Sequence, residues 1–268
     1  MITSSSNPQL KYIQQLAKKA RLRREDGVFL VEGPRMFYEA DRSQVQKAYL
    51  SERFYENMED RSCLEGISWD VVENSVFDKI SSTMTPQGVL CVLKQPSYSL
   101  EELLQKKDPL LVFLENLQDP GNMGTIFRTA EGAGADGIIM TANCVDIFNP
   151  KTIRSTMGSI YRMPFVCLEE EETQPVLKLL RERGIATCAA HLQGERTYDR
   201  EDYTKGTAFL IGNEGNGLTE ETSEASSLKV KIPMEGKLES LNASVAASIL
   251  LYEAYRQRRS RYRSLESQ

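Results

Sequence analysis

The chain has 268 residues, 40% of them hydrophobic, and a formal net charge of −5 at pH 7. It contains no apolar run of about 18 residues and no apolar N-terminal segment, which argues against a membrane span and a signal peptide. Five widely spaced cysteines and a single histidine argue against a disulfide scaffold, a histidine-based zinc site and a Ser-His-Asp triad. We therefore expect a cytoplasmic protein with reduced cysteines and no metal.

The N-terminal third alternates between helical and strand patterns. Residues 7–24 carry apolar side chains at helical spacing and six basic residues from Lys11 to Arg24, which predicts one basic amphipathic helix. Strands near 28–31, 48–50 and 89–93 and helices near 34–40 and 76–82 follow. These elements predict a small α/β domain over residues 1–96. A polar stretch bracketed by prolines predicts a linker over residues 97–108.

From Leu110 the alternation becomes regular. Apolar runs at 110–114, 137–140, 164–168, 185–190, 207–212 and 228–232 are mostly separated by helical patterns. Continuous apolar strands joined by helices predict a parallel sheet covered on both faces. Ligands of such sheets bind at the carboxyl ends of the strands. We therefore predict an α/β domain over residues 109–268, with its site immediately after these strands.

Three glycines raise the question of a dinucleotide pocket. Gly132, Gly134 and Gly137 have the spacing G-x-G-x-x-G. A true fingerprint follows a strand and opens a helix, because the pyrophosphate binds at the helix N-terminus. Here the order is reversed, since the glycines end a helical segment at 122–131 and lead into a strand. We therefore reject an NAD site.

Three other stretches carry polar residues next to strand ends. The first starts a helix at Asn122 and includes Arg128, for which a buried ion pair with Glu115 or Glu131 is the plain structural alternative. The second is a glycine-rich loop after the strand 207–212, with Glu214 at its centre. The third places Ser240-Leu241-Asn242 ahead of a helix rich in small residues. Small residues there predict a close helix contact or a tightly threaded chain.

Together these stretches resemble a known family. N-x-G-x-x-x-R-T-A-x-x-x-G (122–134), I-G-N-E-G-x-G-L (211–218) and I-P-M-x-G-x-x-x-S-L-N-x-S-V-A (232–246) are similar to the three motifs of the SpoU, or TrmH, family. These are RNA ribose 2′-O-methyltransferases of the knotted SPOUT superfamily. The resemblance covers residues 109–258, and residues 145–164 also resemble the ribosomal RNA branch.

The resemblance implies a fold and an assembly. The C-terminal part would be a SPOUT parallel-sheet domain with a deep trefoil knot, an exception to the general absence of knots. The N-terminal part resembles the family's L30e-like substrate-binding domain, also α/β. Such enzymes are typically homodimers with RNA reaching both subunits. The implied reaction moves a methyl group from S-adenosylmethionine to a ribose 2′-hydroxyl, with 23S ribosomal RNA as the favoured substrate.

The resemblance also implies residue roles. Arg128 would lie at the reacting hydroxyl with Asn122 positioning it, Glu214 would fix Arg128 or the ribose, and Asn242 with Ser240 would hold the target nucleotide or the loops. A guanidinium holds its proton too strongly to be a good proton acceptor. We therefore expect Arg128 to bind a phosphate or the developing oxyanion, while a ribose phosphate or solvent receives the proton.

Two sets of binding residues follow from the same resemblance. The implied cofactor contacts are Ala189, Ala190, His191, Gly212, Asn213, Glu214, Gly215, Ile232, Met234, Leu241, Asn242 and Ala243. The candidate RNA contacts are Lys11, Lys18, Lys19, Arg21, Arg24, Arg128, Lys151 and Arg154. Five arginines from Arg256 to Arg263 are further candidate phosphate contacts. For both basic clusters, a solvated helix face is the alternative.

Three other functions remain open at this point. The protein could methylate the ribose of transfer RNA, or methylate a base as other knotted enzymes do. It could also be a ribosome-assembly factor that binds RNA without catalysis. The intact Asn122, Arg128, Glu214 and Asn242 argue against the last of these.

Overall fold

The computed structural model describes residues 1–237 and 240–266, with side chains through residue 260. Within those ranges every helix is too short or too polar to span a lipid bilayer. The chain forms two compact units. The first unit comprises Met1–Pro96 and Asp146–Tyr161, and the second comprises Ser97–Val145 and Arg162–Gln268.

The strands and helices are numbered along the chain. The strands are β1 Val28–Glu32, β2 Val45–Ser51, β3 Trp69–Val72, β4 Val89–Lys94, β5 Leu110–Leu114, β6 Gly137–Met140, β7 Phe165–Cys167, β8 Ala186–Ala190, β9 Arg196–Thr197, β10 Thr207–Ile211 and β11 Leu228–Lys231. The helices are α1 Pro8–Lys18, α2 Ala20–Asp26, α3 Pro34–Glu39, α4 Glu52–Glu56, α5 Asn74–Ile80, α6 Leu100–Leu103, α7 Pro120–Gly132, α8 Pro150–Thr156, α9 Thr173–Glu182, α10 Glu220–Ala225 and α11 Ala243–Glu266.

The first unit is built on a four-stranded sheet in the order β1-β4-β2-β3. Strand β4 is antiparallel to both β1 and β2, and β2 is parallel to β3. The apolar face of α1 and the side chains of α5 pack on this sheet around Leu10, Leu16 and Phe77. Strand β3 lies at the sheet edge and was not predicted, because its four residues are too few for a clear alternation.

The prediction of a single N-terminal helix over residues 7–24 is wrong, because the chain is extended at Lys19 and forms two helices. The break allows Arg23 to turn inward, where it is 2% exposed. Its guanidinium donates to the carbonyl of Leu16 at the end of α1 and pairs with Asp146. One of the six basic residues in this segment therefore stabilises the fold and is not a phosphate contact.

Residues 146–161 fold as part of the first unit, although they lie within the domain predicted over 109–268. Besides the Arg23–Asp146 pair, the rings of Phe29 and Phe148 lie 5.1 Å apart. The hydroxyl of Tyr161 donates to the carbonyl of Met36 at 2.9 Å. These buried contacts connect residues more than a hundred positions apart, which no local pattern could predict.

The second unit confirms the predicted parallel sheet. Its seven strands have the order β7-β6-β5-β10-β8-β11-β9, and all neighbouring pairs are parallel. Strands β5 and β10 at the centre are entirely buried. Their carboxyl ends, near Leu114 and Ile211, lie side by side because the two residues are paired in register.

The segment predicted as a linker packs into the second unit. Ser99 and Glu102 form a capping box that starts α6, and Leu103 and Leu104 are buried in the core with Leu111 and Leu177. The side chain of Leu103 occupies the place that a Cβ at residue 137 would need. A glycine at that position therefore lets α6 pack closely on β6.

The small-residue helix α11 packs against α7 and β10, in agreement with the prediction of a close contact. The hydroxyls of Thr129 and Ser248 lie 3.2 Å apart, and Ala247 is 1% exposed. Small side chains on both helices allow this short approach. The trefoil knot stays a prediction.

Candidate active site

A cavity of about 350 Å³ opens where β8, β10 and β11 end. Its walls come from the segments after these strands and from the start of α11, as expected for a parallel sheet. Most of its lining consists of backbone and apolar or small side chains. The lining residues are Ala190, His191, Leu192, Gln193, Ile211, Gly212, Asn213, Glu214, Gly215, Asn216, Gly217, Leu218, Val230, Ile232, Met234, Ser240, Leu241, Ala243 and Ala246.

Most residues implied as cofactor contacts lie on this cavity, and two do not. Ala189 is buried within β8, and Asn242 points to a different partner, described below. Leu192, Gln193 and Leu218 line the cavity but were not predicted. Each lies within a few residues of a predicted contact on the same loop, so the rule that sites follow strand ends would have found them.

The glycine-rich loop after β10 folds back on itself. The backbones of Asn213 and Gly217 exchange two hydrogen bonds, each 2.9 Å long. A Cβ at Gly212 would lie 2.1 Å from the carbonyl carbon of Gly217 and 2.2 Å from the nitrogen of Leu218. The glycine at 212 therefore serves the close approach of the loop to itself, rather than only the approach of a ligand.

The side chain of Asn213 holds this loop in place. Its Oδ1 accepts from the amides of Gly215 and Asn216 at 2.9 and 3.1 Å. Its Nδ2 donates to the carbonyl of Asn116 at 2.9 Å. Asn116 follows β5 and has a φ of 54°, a conformation that Asn adopts more readily than most residues. Asn213 thus connects the loops that follow β5 and β10.

Glu214 ties the same loop to the start of α7. Its Oε1 accepts from the amide of Asp119 at 2.8 Å and from Nδ2 of Asn122 at 3.0 Å. Its Oε2 accepts from the amide of Gln118 at 3.0 Å. Burial alone would raise the pKa of Glu214, but these donors together hold it below the ordinary value. The carboxylate is therefore ionised at neutral pH and is used as an anchor, which makes it a poor candidate for a general base.

Asn122 lies between Glu214 and Asn242 and is 7% exposed. Its Nδ2 donates to Glu214, and its Oδ1 accepts from Nδ2 of Asn242 at 2.9 Å. The orientation of the amide is fixed because one end faces a carboxylate and the other a donor. The three motifs recognised in the sequence therefore meet through one continuous set of hydrogen bonds.

Asn242 also caps α11. Its Oδ1 accepts from the amides of Ser244 and Val245 at 2.9 and 3.3 Å and from the Ser244 hydroxyl at 2.6 Å. An asparagine at this position satisfies backbone donors that the first helical turn leaves unpaired. The start of α11 is thereby held against the start of α7.

Arg128 lies on α7 six residues beyond Asn122, and its side chain is exposed. Among the described residues it makes neither a hydrogen bond nor an ion pair. The alternative of a buried ion pair with Glu115 or Glu131 is wrong. Glu115 accepts from Thr219 and Thr222, and Glu131 pairs with Arg162. The Arg128 guanidinium is available to bind an anion.

The candidate RNA contacts other than Arg128 lie in the first unit. Lys11, Lys18, Lys19, Arg21, Arg24 and Lys151 are exposed. Arg21 pairs with Glu25, and Arg154 donates to Ser82 Oγ at 2.7 Å. Near the C-terminus, Arg256 pairs with Glu253, and Arg258 donates to the carbonyls of residues 108, 109, 203 and 205. Arg258 is therefore a structural residue.

The described part of the chain contains no cluster of three His, Cys, Asp or Glu side chains suited to a metal ion. The cavity fits an organic cofactor better than an ion. Its size is within the usual range for small-molecule sites, which are mainly apolar with a few polar groups. Ile211, Val230 and Ile232 supply apolar surface, and the loop amides and carbonyls can recognise a nucleoside.

Two family models match the chain. The SpoU rRNA Methylase family model matches residues 109–252, and the MRM3-like substrate binding domain model matches residues 7–91.

Among known proteins, the chain is 33% identical to an uncharacterized tRNA/rRNA methyltransferase of Synechocystis sp., over 96% of this chain and 93% of that protein. It is 32% identical to the 23S rRNA (guanosine(2553)-2′-O)-methyltransferase RlmP of Bacillus subtilis, over 94% of this chain and 97% of that protein. Its structure resembles the AdoMet-bound rRNA methyltransferase of Sinorhizobium meliloti, with a TM-score of 0.84 and 31% identity, over 95% of this chain and 97% of that one.

Proposed function

The chain belongs to the SpoU rRNA methylase family, and we propose that it methylates a ribose 2′-hydroxyl of 23S ribosomal RNA. It is an RNA 2′-O-methyltransferase, and its methyl donor is S-adenosylmethionine. The observation that carries the proposal is the link from Glu214 through Asn122 to Asn242, which joins the three motif segments beside the cavity.

The cavity residues would hold the cofactor mainly through the backbone. We assign this role to Ala190 and His191 after β8, to residues 212–215 after β10, and to Ile232, Met234, Leu241 and Ala243. When bound, S-adenosylmethionine supplies a methyl group on a sulfonium, which is already activated for transfer. The protein must therefore orient the ribose hydroxyl and favour the loss of its proton.

Arg128 is the residue that we assign to the reacting ribose. As an exposed cation without a partner among the described residues, it can bind the neighbouring phosphate or stabilise the negative charge that develops on the ribose oxygen. It does not serve as a base, because a guanidinium remains protonated. The proton passes to a phosphate oxygen of the RNA or to water.

Asn122, Glu214 and Asn242 act as positioning residues. Each has most of its hydrogen-bonding groups engaged by the protein, so their part is to hold the N-terminus of α7 and the start of α11 against the glycine-rich loop. We place the exposed Ser240, on the cavity wall, near the target nucleotide.

The choice of 23S ribosomal RNA is supported by relatives that match over nearly the whole chain. The Bacillus subtilis protein named for this substrate aligns with 94% of the chain. A solved structure concerned with methylation of transfer RNA covers 60% of the chain. The long match therefore favours ribosomal RNA over transfer RNA.

We propose that the first unit binds the RNA and that the second unit carries out methyl transfer, working in the cytoplasm. The two matched family models support this division, with residues 1–96 as the substrate-binding part and 109–268 as the catalytic part, except that residues 146–161 fold with the first unit. We also propose that the C-terminal segment is threaded as a knot and that two copies associate. Exposed Val245, Tyr252 and Tyr255 on α11 support association, and light scattering of the purified protein tests it.

Two experiments test the enzymatic proposal. Purified protein is incubated with radiolabelled S-adenosylmethionine and 23S ribosomal RNA from a strain that lacks the gene, and methylated ribose is mapped by resistance to alkaline cleavage. We expect one nucleotide to gain a methyl group in vitro and the same nucleotide to lose it in the deletion strain. Labelling of transfer RNA instead, or of a base, would contradict the proposed substrate and site of methylation. Cofactor binding without transfer to any RNA would support a non-catalytic assembly factor.

A further inference from the structure

A groove on the first unit shares no lining residue with the cofactor cavity. Its main hollow of about 280 Å³ is lined by segments far apart in sequence, namely Glu32, Gly33, Arg35, Met36, Thr83, Thr85, Gln87, Arg154 and Met157. A smaller hollow shares Glu32 and Arg154 with it and continues to Ala17 of α1, Ile80 of α5 and Pro150 of α8. Because both hollows are lined by Glu32 and Arg154, they adjoin, and together they are called the groove.

The surroundings of this groove are positively charged. Lys18, Lys79 and Lys151 each follow or precede a lining residue in the chain. All three are exposed, and none makes a side-chain hydrogen bond or an ion pair within the described part of the chain. Arg154 lies in the groove itself. Of these four cations, one therefore lies in the groove and three flank it, and Glu32 is the acid among its described lining residues.

The acidic residue in the groove is already satisfied. Glu32 accepts from the hydroxyls of Ser81, Ser82 and Thr83 and from the amide of Ser82. Arg35 pairs with Glu39 at 2.8 Å. Both oxygens of Glu32 are thus occupied by neutral donors, and the cations around the groove that lack an acidic partner among the described residues outnumber this one carboxylate.

The interior combines apolar and hydrogen-bonding groups. Met36 is buried in the wall, and Met157 is 40% exposed with a φ of 51°, which is unusual outside glycine. Thr83, Thr85 and Gln87 supply donors and acceptors around them. An apolar surface edged by such groups suits a planar base, and a hollow of this size admits one nucleotide but not a duplex.

We propose that this groove holds an unpaired nucleotide of the RNA substrate, with adjacent phosphates on Lys18, Lys79, Lys151 and Arg154. The inference rests on the proposed function, since it specifies how that substrate is held. In the sequence, Lys18 and Lys151 belong to separate basic segments. The structure brings both segments to one groove, because Ala17 and Pro150 line the same hollow.

The test measures RNA binding by fluorescence anisotropy of the full-length protein. The probe is a labelled mixed-sequence single-stranded RNA of about 12 nucleotides, with a blunt RNA duplex of the same length for comparison. The variants are the double substitution Lys18→Gln with Lys151→Gln, whose side chains have no described partner, and the single substitution Arg154→Gln. Arg154→Lys is included as a further variant that keeps the positive charge, in case the fold depends on a charge at this position.

The matched control is Lys94→Gln. Lys94 is exposed and is paired in register with Val28, whereas Glu32 in the groove is paired with Leu90. It therefore lies at the opposite end of β1 and β4, about 13 Å away along the strands. Its substitution removes the same charge from the same unit without touching the groove.

For the double variant we expect single-stranded RNA to bind about 10-fold more weakly, with the slope of log K against log salt reduced by about 1.4. Lys94→Gln should bind RNA as the wild type does. RNA that contains 4-thiouridine should crosslink to peptides that include residues 83–87 or 150–157. Equal affinities for the groove variants and the control would overturn the proposal, as would equal binding of the duplex.

The two proposals can fail separately. If the wild type methylates ribosomal RNA but the groove variants bind and methylate it normally, the groove is not the RNA site and the enzymatic function stands. If the wild type transfers no methyl group while the groove variants alone lose RNA affinity, the groove stands as an RNA site and the methyltransferase assignment fails.

Discussion

Asn122 donates its side-chain amide to Glu214 at 3.0 Å, although the two residues are 92 positions apart in the chain. This bond joins the first turn of α7 to the glycine-rich loop after β10. Because the other end of the same amide accepts from Asn242, a change at any of the three side chains should alter the positions of all three loops. Their separate effects can be distinguished, since each also has partners of its own.

The substitution Asn242→Asp separates the two roles of Asn242, which are the hydrogen bond to Asn122 and the capping of α11. Aspartate keeps the oxygen that caps α11 but replaces the donor to Asn122 with a second oxygen. We expect turnover to fall about 100-fold, because a displacement of about 1 Å near the reacting groups can cost that much. The melting temperature should change little. Steady-state kinetics and thermal unfolding measure the two effects, and normal turnover would remove the positioning role from Asn242.

Glu214→Gln should show its effect as a change in pH dependence. The donors around Glu214 lower its native pKa below the ordinary 4.5, so the ionised group stabilises the fold above that pH. The stabilisation is lost as the pH falls through the native pKa. The difference in unfolding free energy between wild type and Glu214→Gln should therefore be constant near neutral pH and shrink on acidification.

Urea unfolding between about pH 3 and pH 7 measures this difference. The control is Glu221→Gln, an exposed carboxylate on α10 without a side-chain partner among the described residues. It should show little difference at any pH. If the difference in unfolding free energy between wild type and Glu214→Gln grew on acidification, the native pKa of Glu214 would be raised instead.

Arg128→Ala should strongly reduce catalysis while leaving the fold intact. The side chain is exposed and has no described protein partner, so unfolding and cofactor affinity should match the wild type. Turnover should fall about 1,000-fold if the guanidinium stabilises the developing charge. Thr125→Ala, at an exposed position one turn earlier on α7, is the control. Near-normal turnover of Arg128→Ala would reject its assigned role.

Gly212→Ala should abolish cofactor binding. The added Cβ would lie 2.1 Å from the backbone of Gly217, so the loop that forms one wall of the cavity must open. Isothermal titration with S-adenosylmethionine measures the loss. Gly236→Ala is the control, because a Cβ there meets no atom within 4 Å. Comparable affinity for both variants would show that the loop adapts to the added methyl group.

Arg258→Gln should destabilise the second unit. The guanidinium donates to four carbonyls, including those of Tyr203 at 2.9 Å and Asp108 at 2.9 Å, and fixes the end of α11 to two loops. Loss of these charge-assisted bonds should cost about 2–4 kcal/mol in unfolding free energy. The neighbouring Arg259→Gln, at an exposed position, should cost little, and equal effects would contradict the structural role of Arg258.

The sequence alone determined the class of fold and the nature of the catalytic unit. Apolar runs such as 110–114 and 207–211 could be identified as strands of a parallel sheet, because such a strand is buried on both faces and has no polar alternation. The reversed order of helix and glycines at Gly132 and Gly134 excluded a dinucleotide site. The motif segments around Asn122, Glu214 and Asn242 could be recognised because their residue types and order are specific.

Only the tertiary structure decided which polar groups meet. It shows that Glu214 binds Asn122 and not Arg128, that Arg23 is buried, and that α8 joins the first unit. Local periodicity could not provide these results, because each contact joins residues distant in sequence whose side chains are equally compatible with solvent. Residue pattern specifies which face of an element is buried, whereas the packing of the elements selects the partner for each polar side chain.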